Sequence, residues 1–312
     1  PLVGRAGRRA LSVALAYDVC LGELPVRVHP VVGMGRVVRL ATARAPRSGL
    51  PALVAGAALA VLLPLGCAAL WIAIERLLAG ALWVLALLSV AVLTSTFSVR
   101  LLMQEGLVLA GMLERGEIAL ARQRLSHLCS RRADELGEEE LASAGLASLA
   151  ENASDSFVAP WFWFLVGGVP LALAYRAINT LDAMVGYRGE FERLGKASAR
   201  LDDLVNWIPA RLTSLLIAAA GPLVGRAGRR ALSVAARDAR RTPSPNGGWP
   251  MAAMAGLLDT RLEKRDSYVL HGAGSATSAV HLRAGVRVVG WVAILATPLL
   301  VARTLLVEGG LA

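Results

Sequence analysis

The chain has 312 residues, of which 55% are apolar, and it carries a formal net charge of +10. Its mean hydropathy of +0.56 excludes an ordinary soluble domain. The charge does not predict a nucleic-acid partner, because no basic stretch is interleaved with aromatic residues, and arginine-rich loops beside membrane segments account for it. The three cysteines show no spacing typical of a metal site.

The start of the chain repeats a later stretch. PLVGRAGRRALSVA occurs at 1–14 and again, unchanged, at 222–235. A functional repeat normally recurs with a fixed period and with sequence drift, and this pair shows neither. We therefore interpret the first copy as a recent duplication or a sequence error and assign it no function.

Three apolar runs are long enough to cross a bilayer. Two uncharged runs within 50–98 are separated only by Glu75 and Arg76, so the sequence predicts a transmembrane hairpin with its turn at this pair. The third run, 288–307, is interrupted only by Arg303 and predicts a further transmembrane helix.

Two other apolar segments do not fit simple crossings. Residues 156–175 are uncharged, but two prolines and a pair of glycines interrupt them, and a full crossing would place the arginine-rich loop 176–206 outside the cell. Because positively charged loops favour the cytoplasmic side, we expect a broken or re-entrant helix there. Residues 207–224 have the same character. Non-helical backbone at membrane depth is tolerated only against protein or a water-filled cavity.

These features predict an all-α polytopic membrane protein with about three full transmembrane helices, broken or re-entrant segments and helical cytoplasmic loops. We expect a single membrane-embedded domain. Its parts are the transmembrane hairpin 50–98, a cytoplasmic helical loop 99–155, membrane-dipping segments within 156–224 that flank the motif loop 176–206, a cytoplasmic loop 225–287 and the transmembrane helix 288–307. Gly137 and Gly145 are the expected breaks in the first loop. Arginines on both sides of the hairpin predict that the polar motifs face the cytoplasm from the cell inner (plasma) membrane.

Four polar clusters lie near the ends of these segments, where ionisable side chains tend to be functional. They are DVCLGELPVRVHP at 18–30, ENASD at 151–155, the long run 176–211 and SPNGGWP at 244–250. In the second cluster, Glu151 and Asp155 share a face of a helix and repel each other. This repulsion predicts a cation between them.

The third cluster combines carboxylates, amides and arginines at helical spacing. Three pairs fall about one turn apart: Asn179 with Asp182, Arg200 with Asp203, and Asp202 with Asn206. Such a face suits a phosphate that is held through Mg²⁺ and gripped by arginines, and Tyr187 and Trp249 are suited to stack on a flat ligand. The alternative is that these are ordinary surface pairs and that SPNGG is only a turn.

Five motifs make the chain resemble the adenosylcobinamide-phosphate synthase family, also called the CobD/CbiB family. Four of them, ENASDSFVAP, RAINTLDAMVGYR, SARLDDLVNWIPARLT and DARRTPSPNGGWPMAAMAG, are long and specific, and DVCLGELPVRVHPVVGMGR is similar to the family's N-terminal motif. The resemblance extends from about Tyr17 to the last apolar run. Residues 1–14 depart from it, because family members usually begin with an apolar helix.

The resemblance implies an ATP- and Mg²⁺-dependent amide ligase of cobalamin biosynthesis, of the acid–amine ligase type. It would join (R)-1-amino-2-propanol, or its O-phosphate, to the free propionate carboxylate of adenosylcobyric acid. A carboxylate is a poor electrophile, so its activation as an acyl phosphate or acyl adenylate is expected. The implied partners are adenosylcobyric acid, aminopropanol phosphate, the lipid bilayer and later enzymes of the cobalamin pathway, with no nucleic acid.

Carried onto this chain, the resemblance gives candidate roles to residues of the four clusters. The expected catalytic residues are Asp155, Asp182, Asp202 and Asp203, with His29 or Glu23 as a base, and the expected metal ligands are Glu151, Asp155 and Asp182. The expected substrate-binding residues are Asp18, Asn152, Asn179, Tyr187, Arg188, Arg200, Asn206, Arg211, Ser244, Asn246 and Trp249. The sequence does not divide the carboxylates between metal ligands and bases.

Two other functions stay open. One is a membrane sensor or regulatory relative, against which the intact NTLD, LDDL and SPN motifs argue. The other is a transporter of a corrinoid or another anion, since broken segments with polar ends occur in transporters. Large, motif-rich loops without a visible inverted repeat disfavour the transporter.

Overall fold

The structure is a computed structural model that describes Ala14, Asp18 and residues 29–128, 133–187 and 189–309, with backbone only for 298–309. Helices dominate this part of the chain. Its only strands are the short antiparallel pair β1 (Leu262–Lys264) and β2 (Tyr268–Leu270). The prediction of an all-α polytopic membrane protein is confirmed.

The described residues contain twelve α-helices. They are α1 (Pro30–Ala43), α2 (Gly49–Leu77), α3 (Leu82–Thr96), α4 (Val99–Glu114), α5 (Ile118–Leu125), α6 (Glu138–Ala153), α7 (Ala159–Val185), α8 (Lys196–Val205), α9 (Trp207–Ala220), α10 (Gly228–Asp238), α11 (Gly248–Leu258) and α12 (Ala279–Gly309). A π-helical turn, Ser154–Val158, joins α6 to α7. Short 3₁₀ turns, Pro222–Val224 and Ala239–Arg241, follow α9 and α10.

Within the described residues, 4 helical stretches are long and apolar enough to cross a membrane. They are Gly49–Leu77, Leu82–Glu114, Glu138–Val185 and Ala279–Thr297. The first, second and fourth overlap the three predicted spans, and the third contains the segment that was predicted to be broken. The second stretch continues through α4, which lies in the predicted cytoplasmic loop, because α4 carries only Arg100 and Glu105 as charged residues before Glu114.

The turn of the predicted hairpin lies later than the sequence predicts. Glu75 and Arg76 belong to the last turn of α2, and the connection to α3 follows them. The indole N–H of Trp71 donates to the Glu75 carboxylate at 2.8 Å. This contact spans one helical turn and stabilises the helix through the charged pair, so the prediction of a turn at Glu75–Arg76 is wrong.

Helix α7 is broken as predicted. Gly167 (φ −144°, ψ 21°) and Gly168 (φ 73°, ψ −159°) leave the helical conformation, and Pro170 follows them. The positive φ of Gly168 is one that glycine adopts readily, and proline cannot donate a backbone hydrogen bond to the preceding turn. The apolar run is therefore two helical pieces joined at the glycine pair.

The chain packs as two compact units. The first unit comprises the described residues up to Ser98, Ala159–Val205 and the end of α12 from Leu300. Its helices α1, α2, α7 and α8 pack together, with a core of Val38, Ala60, Leu181 and Val185. The single membrane-embedded domain stays a prediction.

The second unit comprises Val99–Val158 and Asn206–Leu299. Helix α11 is buried except at Trp249, which is half-buried, and it packs against α6, α9 and α10. Gly137 caps the start of α6, but Gly145 lies inside that helix, so the break predicted there is wrong. A Cβ on Gly145 would lie 2.6 Å from a methyl carbon of Leu109. This glycine allows α4 and α6 to pack closely.

Candidate active site

The first unit holds three of the predicted carboxylates. Asp182 lies in the last turn of α7, and Asp202 and Asp203 lie in the last turn of α8; we call these three residues the acidic cluster. Oδ1 of Asp182 is buried and accepts no hydrogen bond from the described residues. The Asp203 carboxylate is close enough to Asp182 to act on it electrostatically. The acidic cluster thus concentrates negative charge around an oxygen that has no donor in the described part of the chain.

Two glycines keep the backbone close to Asp182. A Cβ on Gly186 would lie 2.0 Å from Asp182 Oδ1, and a Cβ on Gly195 would lie 1.8 Å from the Val185 carbonyl oxygen. The Gly186 N–H donates to the Asp182 carbonyl oxygen at 2.7 Å. Real Cβ atoms do not make contacts this short, so a side chain at Gly186 would displace the Asp182 carboxylate.

Arginine and amide groups accompany these carboxylates, as the helical spacing predicts. Burial raises the pKa of Asp203, and the charge of Arg200 partly offsets this increase. Asn179, one turn before Asp182, accepts a hydrogen bond from Nη1 of Arg176 at 3.2 Å. A carboxyl group with a raised pKa gains from a nearby cation or proton.

The other predicted residues of the first unit have varied surroundings. Tyr187 is 53% exposed just beyond α7, so its ring is accessible. Asp18 is fully buried, and His29 is half-buried immediately before α1. The predictions for Glu23 and Arg188 lie outside the described residues.

In the second unit, Arg211 contacts two tryptophan rings. Its guanidinium carbon lies 4.3 Å from the centre of the Trp207 ring and 4.8 Å from that of Trp249. Its Nη1 donates to the Trp207 carbonyl oxygen at 2.7 Å and to Oδ1 of Asn246 at 3.1 Å. We call Trp207, Arg211, Asn246 and Trp249 the arginine–tryptophan cluster. Burial, and then the charge of Arg240, lower the pKa of Arg211, so an anion beside it would be stabilising.

The loop that presents Asn246 is closed by its own hydrogen bonds. The Ser244 hydroxyl accepts from the N–H groups of Asn246 at 3.2 Å and Gly247 at 3.1 Å. The Asn246 carbonyl accepts from the Trp249 N–H at 3.0 Å. SPNGG is therefore a turn, as the simpler interpretation holds, and through Asn246 it also orients Arg211.

The ENASD motif enters a π-helical turn. The sequence predicts a regular helix through Asp155, but the backbone widens over Ser154–Val158, a feature frequent at functional sites. Glu151 and Asp155 are both half-buried. A Cβ on Gly247 would lie 2.4 Å from Oε1 of Glu151. The Glu151 carboxylate therefore packs at the N-terminus of α11, where the helix dipole favours negative charge.

The two other predicted amides of this unit make structural contacts. Nδ2 of Asn152 donates to the carbonyl oxygen and hydroxyl of Ser148, at 3.0 Å and 2.9 Å, and to the Leu128 carbonyl at 3.3 Å. Asn206 is 2% exposed and immediately precedes α9. Its carbonyl oxygen accepts from the Ala210 N–H at 3.0 Å. Asn152 thus fastens the chain at Leu128 to α6.

The predicted metal ligands fall in both units, with Glu151 and Asp155 in the second and Asp182 in the first. Among the residues that the structure describes, no group of three or more His, Cys, Asp or Glu is arranged to hold a metal ion. Mg²⁺ commonly uses one or two carboxylates with substrate phosphates and water. The hard carboxylate oxygens of the acidic cluster therefore fit Mg²⁺ that is bound together with a phosphate.

Comparison with known proteins identifies the family. Residues 11–289 match the family described as CobD/Cbib protein. The chain belongs to the CobD/CbiB family. Cobalamin biosynthesis protein CobD of Pelobacter propionicus is 40% identical over 262 residues, which cover 83% of this chain and 80% of that protein. Probable cobalamin biosynthesis protein CobD of Methanothermobacter thermautotrophicus is 40% identical over 263 residues, covering 83% and 85%. No solved structure matches the chain.

Membership of the CobD/CbiB family confirms the resemblance seen in the motifs. The motifs did not predict two of the contacts that the structure shows. Trp207 lies one helical turn before Arg211, and this i, i+4 spacing is the signal that identifies it as a partner. The approach of Glu151 to Gly247 has no such local signal, because the two residues are far apart in the chain.

Proposed function

We propose that this CobD/CbiB family member is an adenosylcobinamide-phosphate synthase of cobalamin biosynthesis. It uses ATP and Mg²⁺ to join (R)-1-amino-2-propanol, or its O-phosphate, to the free propionate carboxylate of adenosylcobyric acid. The observation that carries the proposal is the oriented guanidinium of Arg211, in a chain whose relatives are named for cobalamin biosynthesis.

Arg211 is assigned to a phosphate group. Its Nη1 donates to Asn246 and to the Trp207 carbonyl, and its other N–H groups donate to no residue that the structure describes. The ring contacts restrict the guanidinium plane. An arginine oriented in this way offers parallel N–H groups to two oxygens of one phosphate. The phosphate is that of aminopropanol phosphate or of ATP.

The acidic cluster is assigned to cationic groups. Asp182 would hold Mg²⁺ through Oδ1, which has no donor among the described residues, and the ion would supply charge neutralisation at phosphate oxygens. Asp203 would orient the substrate ammonium. Its raised pKa makes it a better proton acceptor than an ordinary aspartate, and the amine must lose a proton before it can attack. The roles of His29 and Glu23 as bases stay predictions.

The chemistry requires an activated carboxylate. A propionate oxygen takes the γ-phosphoryl group of ATP, releasing ADP, or its adenylyl group, releasing pyrophosphate. The neutral amine then attacks the acyl carbon, the amide bond forms, and phosphate or AMP leaves with that oxygen. The contribution of the protein is to position the reactants and to neutralise phosphate charge.

We place the reaction at the cytoplasmic face of the inner membrane. The chain is a multi-pass membrane protein. The arginine-rich loops that carry the motifs favour the cytoplasmic side.

Purified full-length protein in lipid nanodiscs tests the proposal. It is incubated with adenosylcobyric acid, aminopropanol phosphate and Mg-ATP, and the products are analysed by mass spectrometry. We expect a product with the mass of both substrates minus one water, absent without ATP. Arg211→Ala should strongly reduce its formation, whereas Arg229→Ala, on the exposed side of α10, should not. Folded wild-type protein that forms no amide would refute the ligase and favour a sensor or transporter.

A further inference from the structure

Asp238 is a buried carboxylate that lies outside both clusters. It ends α10 and is 1% exposed. Arg237 donates to its two oxygens at 3.0 Å and 2.9 Å, and Nε of Arg241 lies 3.1 Å from Oδ1. The backbone N–H of His271 donates to Oδ2 at 2.8 Å. These four contacts fill the acceptor capacity of a carboxylate, so Asp238 is fixed in place.

Asp238 anchors the start of the loop that carries Ser244 and Asn246. The 3₁₀ turn Ala239–Arg241 follows it directly, and Arg241 within this turn pairs with Asp238. The Thr242 hydroxyl lies 2.8 Å from the Ser244 carbonyl oxygen and 3.3 Å from that of Ala239. The loop Thr242–Gly248 is therefore bonded to the turn that Asp238 holds.

The end of the same loop also packs on that turn. A Cβ on Gly248 would lie 2.0 Å from the Ala239 carbonyl oxygen and 2.5 Å from the Thr242 hydroxyl. Between these two attachments, the Ser244 hydroxyl accepts two loop N–H groups, and Asn246 accepts from Arg211. A continuous series of contacts thus runs from Asp238 to the guanidinium of Arg211.

We propose that Asp238 is a positioning residue, which fixes the 3₁₀ turn, through it the loop Thr242–Gly248, and through Asn246 the orientation of Arg211 toward an anionic ligand. The identity of that ligand rests on the proposed function, but the coupling from Asp238 to the loop does not. A contiguous network becomes evidence of coupling only when a change at one end is measured at the other.

Amide hydrogen exchange of the full-length protein in nanodiscs measures this coupling directly. Asp238→Asn should speed the exchange of the Asn246 and Gly247 amides by about tenfold, because local opening controls their exchange. Asp259→Asn is the matched control. Asp259 pairs with Arg230 and with the His271 side chain and lies outside the series of contacts from Asp238 to Arg211, so the exchange of the Asn246 and Gly247 amides should be unchanged.

A second variant tests the proposal if Asp238→Asn does not fold. Thr242→Val removes the hydroxyl that joins the loop to the turn and leaves every Asp238 contact in place, and it should speed the same two amides by about tenfold. Unchanged exchange at Asn246 and Gly247 in the folded variants would overturn the proposal.

Kinetics distinguishes positioning from loss of folded protein. Asp238→Asn should raise the KM for aminopropanol phosphate by about tenfold with little change in kcat. In the double variant with Ser244→Ala, the fold-increase in KM should be smaller than the product of the increases in the two single variants. A fall in kcat at constant KM, or fully multiplicative effects, would overturn the proposal. If wild type forms no amide, the proposed function fails, and the exchange of Asn246 and Gly247 still decides the coupling.

Discussion

The acidic cluster and the arginine–tryptophan cluster are built in opposite ways. In the first, a buried oxygen of Asp182 has no donor among the described residues, and Asp203 adds like charge. In the second, Arg211 is held by two acceptors and two rings, and the rest of its guanidinium donates to no described residue. The first cluster suits a cation and the second an anion, so the acidic cluster can be tested with a cation and the arginine–tryptophan cluster separately with an anion.

Substitution of Arg211 should have the largest effect. Arg211→Ala removes charge-assisted hydrogen bonds to a phosphate, so kcat/KM for aminopropanol phosphate should fall by about 10²–10³-fold. Arg211→Lys should recover only part of this, because lysine keeps the charge but not the planar fork. Steady-state kinetics with both variants measures it, and full rescue by lysine would show that orientation by the tryptophans is unimportant.

Substitution of Asp182 tests cation binding by the acidic cluster. Asp182→Asn keeps the shape and removes the charge, so the Mg²⁺ concentration for half-maximal activity should rise by about 100-fold. The matched control is Asp134→Asn, outside the acidic cluster, which should leave the Mg²⁺ dependence unchanged. An unaltered Mg²⁺ titration in Asp182→Asn would remove this residue from the metal site.

Much of the fold, and less of the site, could be predicted from the sequence. The apolar runs and the glycine pair of α7 are local signals, and the break at Gly167–Gly168 lies where those signals put it. The motifs also predict Asp182 and Arg211 as site residues, and these roles stay predictions. The contacts of Arg211 with Trp249 and Asn246 depend on how α9 and the loop before α11 pack, and no local pattern encodes that packing.

Glycine substitutions should have intermediate effects on stability and activity, and they test whether close packing positions the acidic cluster. Gly186→Ala places a methyl group against the Asp182 carboxylate, so it should cost about 1–3 kcal/mol and weaken Mg²⁺-dependent activity. Gly33→Ala is the control, because a Cβ there meets nothing within 4 Å. It should stabilise α1 by up to about 1 kcal/mol. Thermal unfolding in nanodiscs compares them, and equal stability of the two variants would contradict the packing argument.

The smallest expected effects are changes of stability with pH, and they should have opposite signs for Asp203 in the first unit and Asp238 in the second. Burial raises the pKa of Asp203, so its contribution to stability is present below the ordinary aspartate pKa and is lost as pH rises through the raised value. Arg237, and then the His271 N–H, lower the pKa of Asp238. The contribution of Asp238 to stability is present above the ordinary aspartate pKa of about 3.9 and is lost as pH falls through the lowered pKa.

Melting temperatures of two variants against pH separate these signs. Relative to wild type, Asp203→Asn should gain a few degrees as pH rises from acid to neutral, whereas Asp238→Asn should lose a few degrees over the same range. Parallel curves for the two variants would show that the two carboxylates do not differ in this way.

The most direct test of the ligase follows one oxygen atom. Adenosylcobyric acid labelled with ¹⁸O in its free propionate carboxylate is converted in the presence of aminopropanol phosphate and Mg-ATP, and the released phosphate and AMP are analysed by mass spectrometry. If ATP activates the carboxylate, each amide formed should transfer one ¹⁸O to phosphate or to AMP. Amide formation with both products unlabelled would contradict activation by ATP.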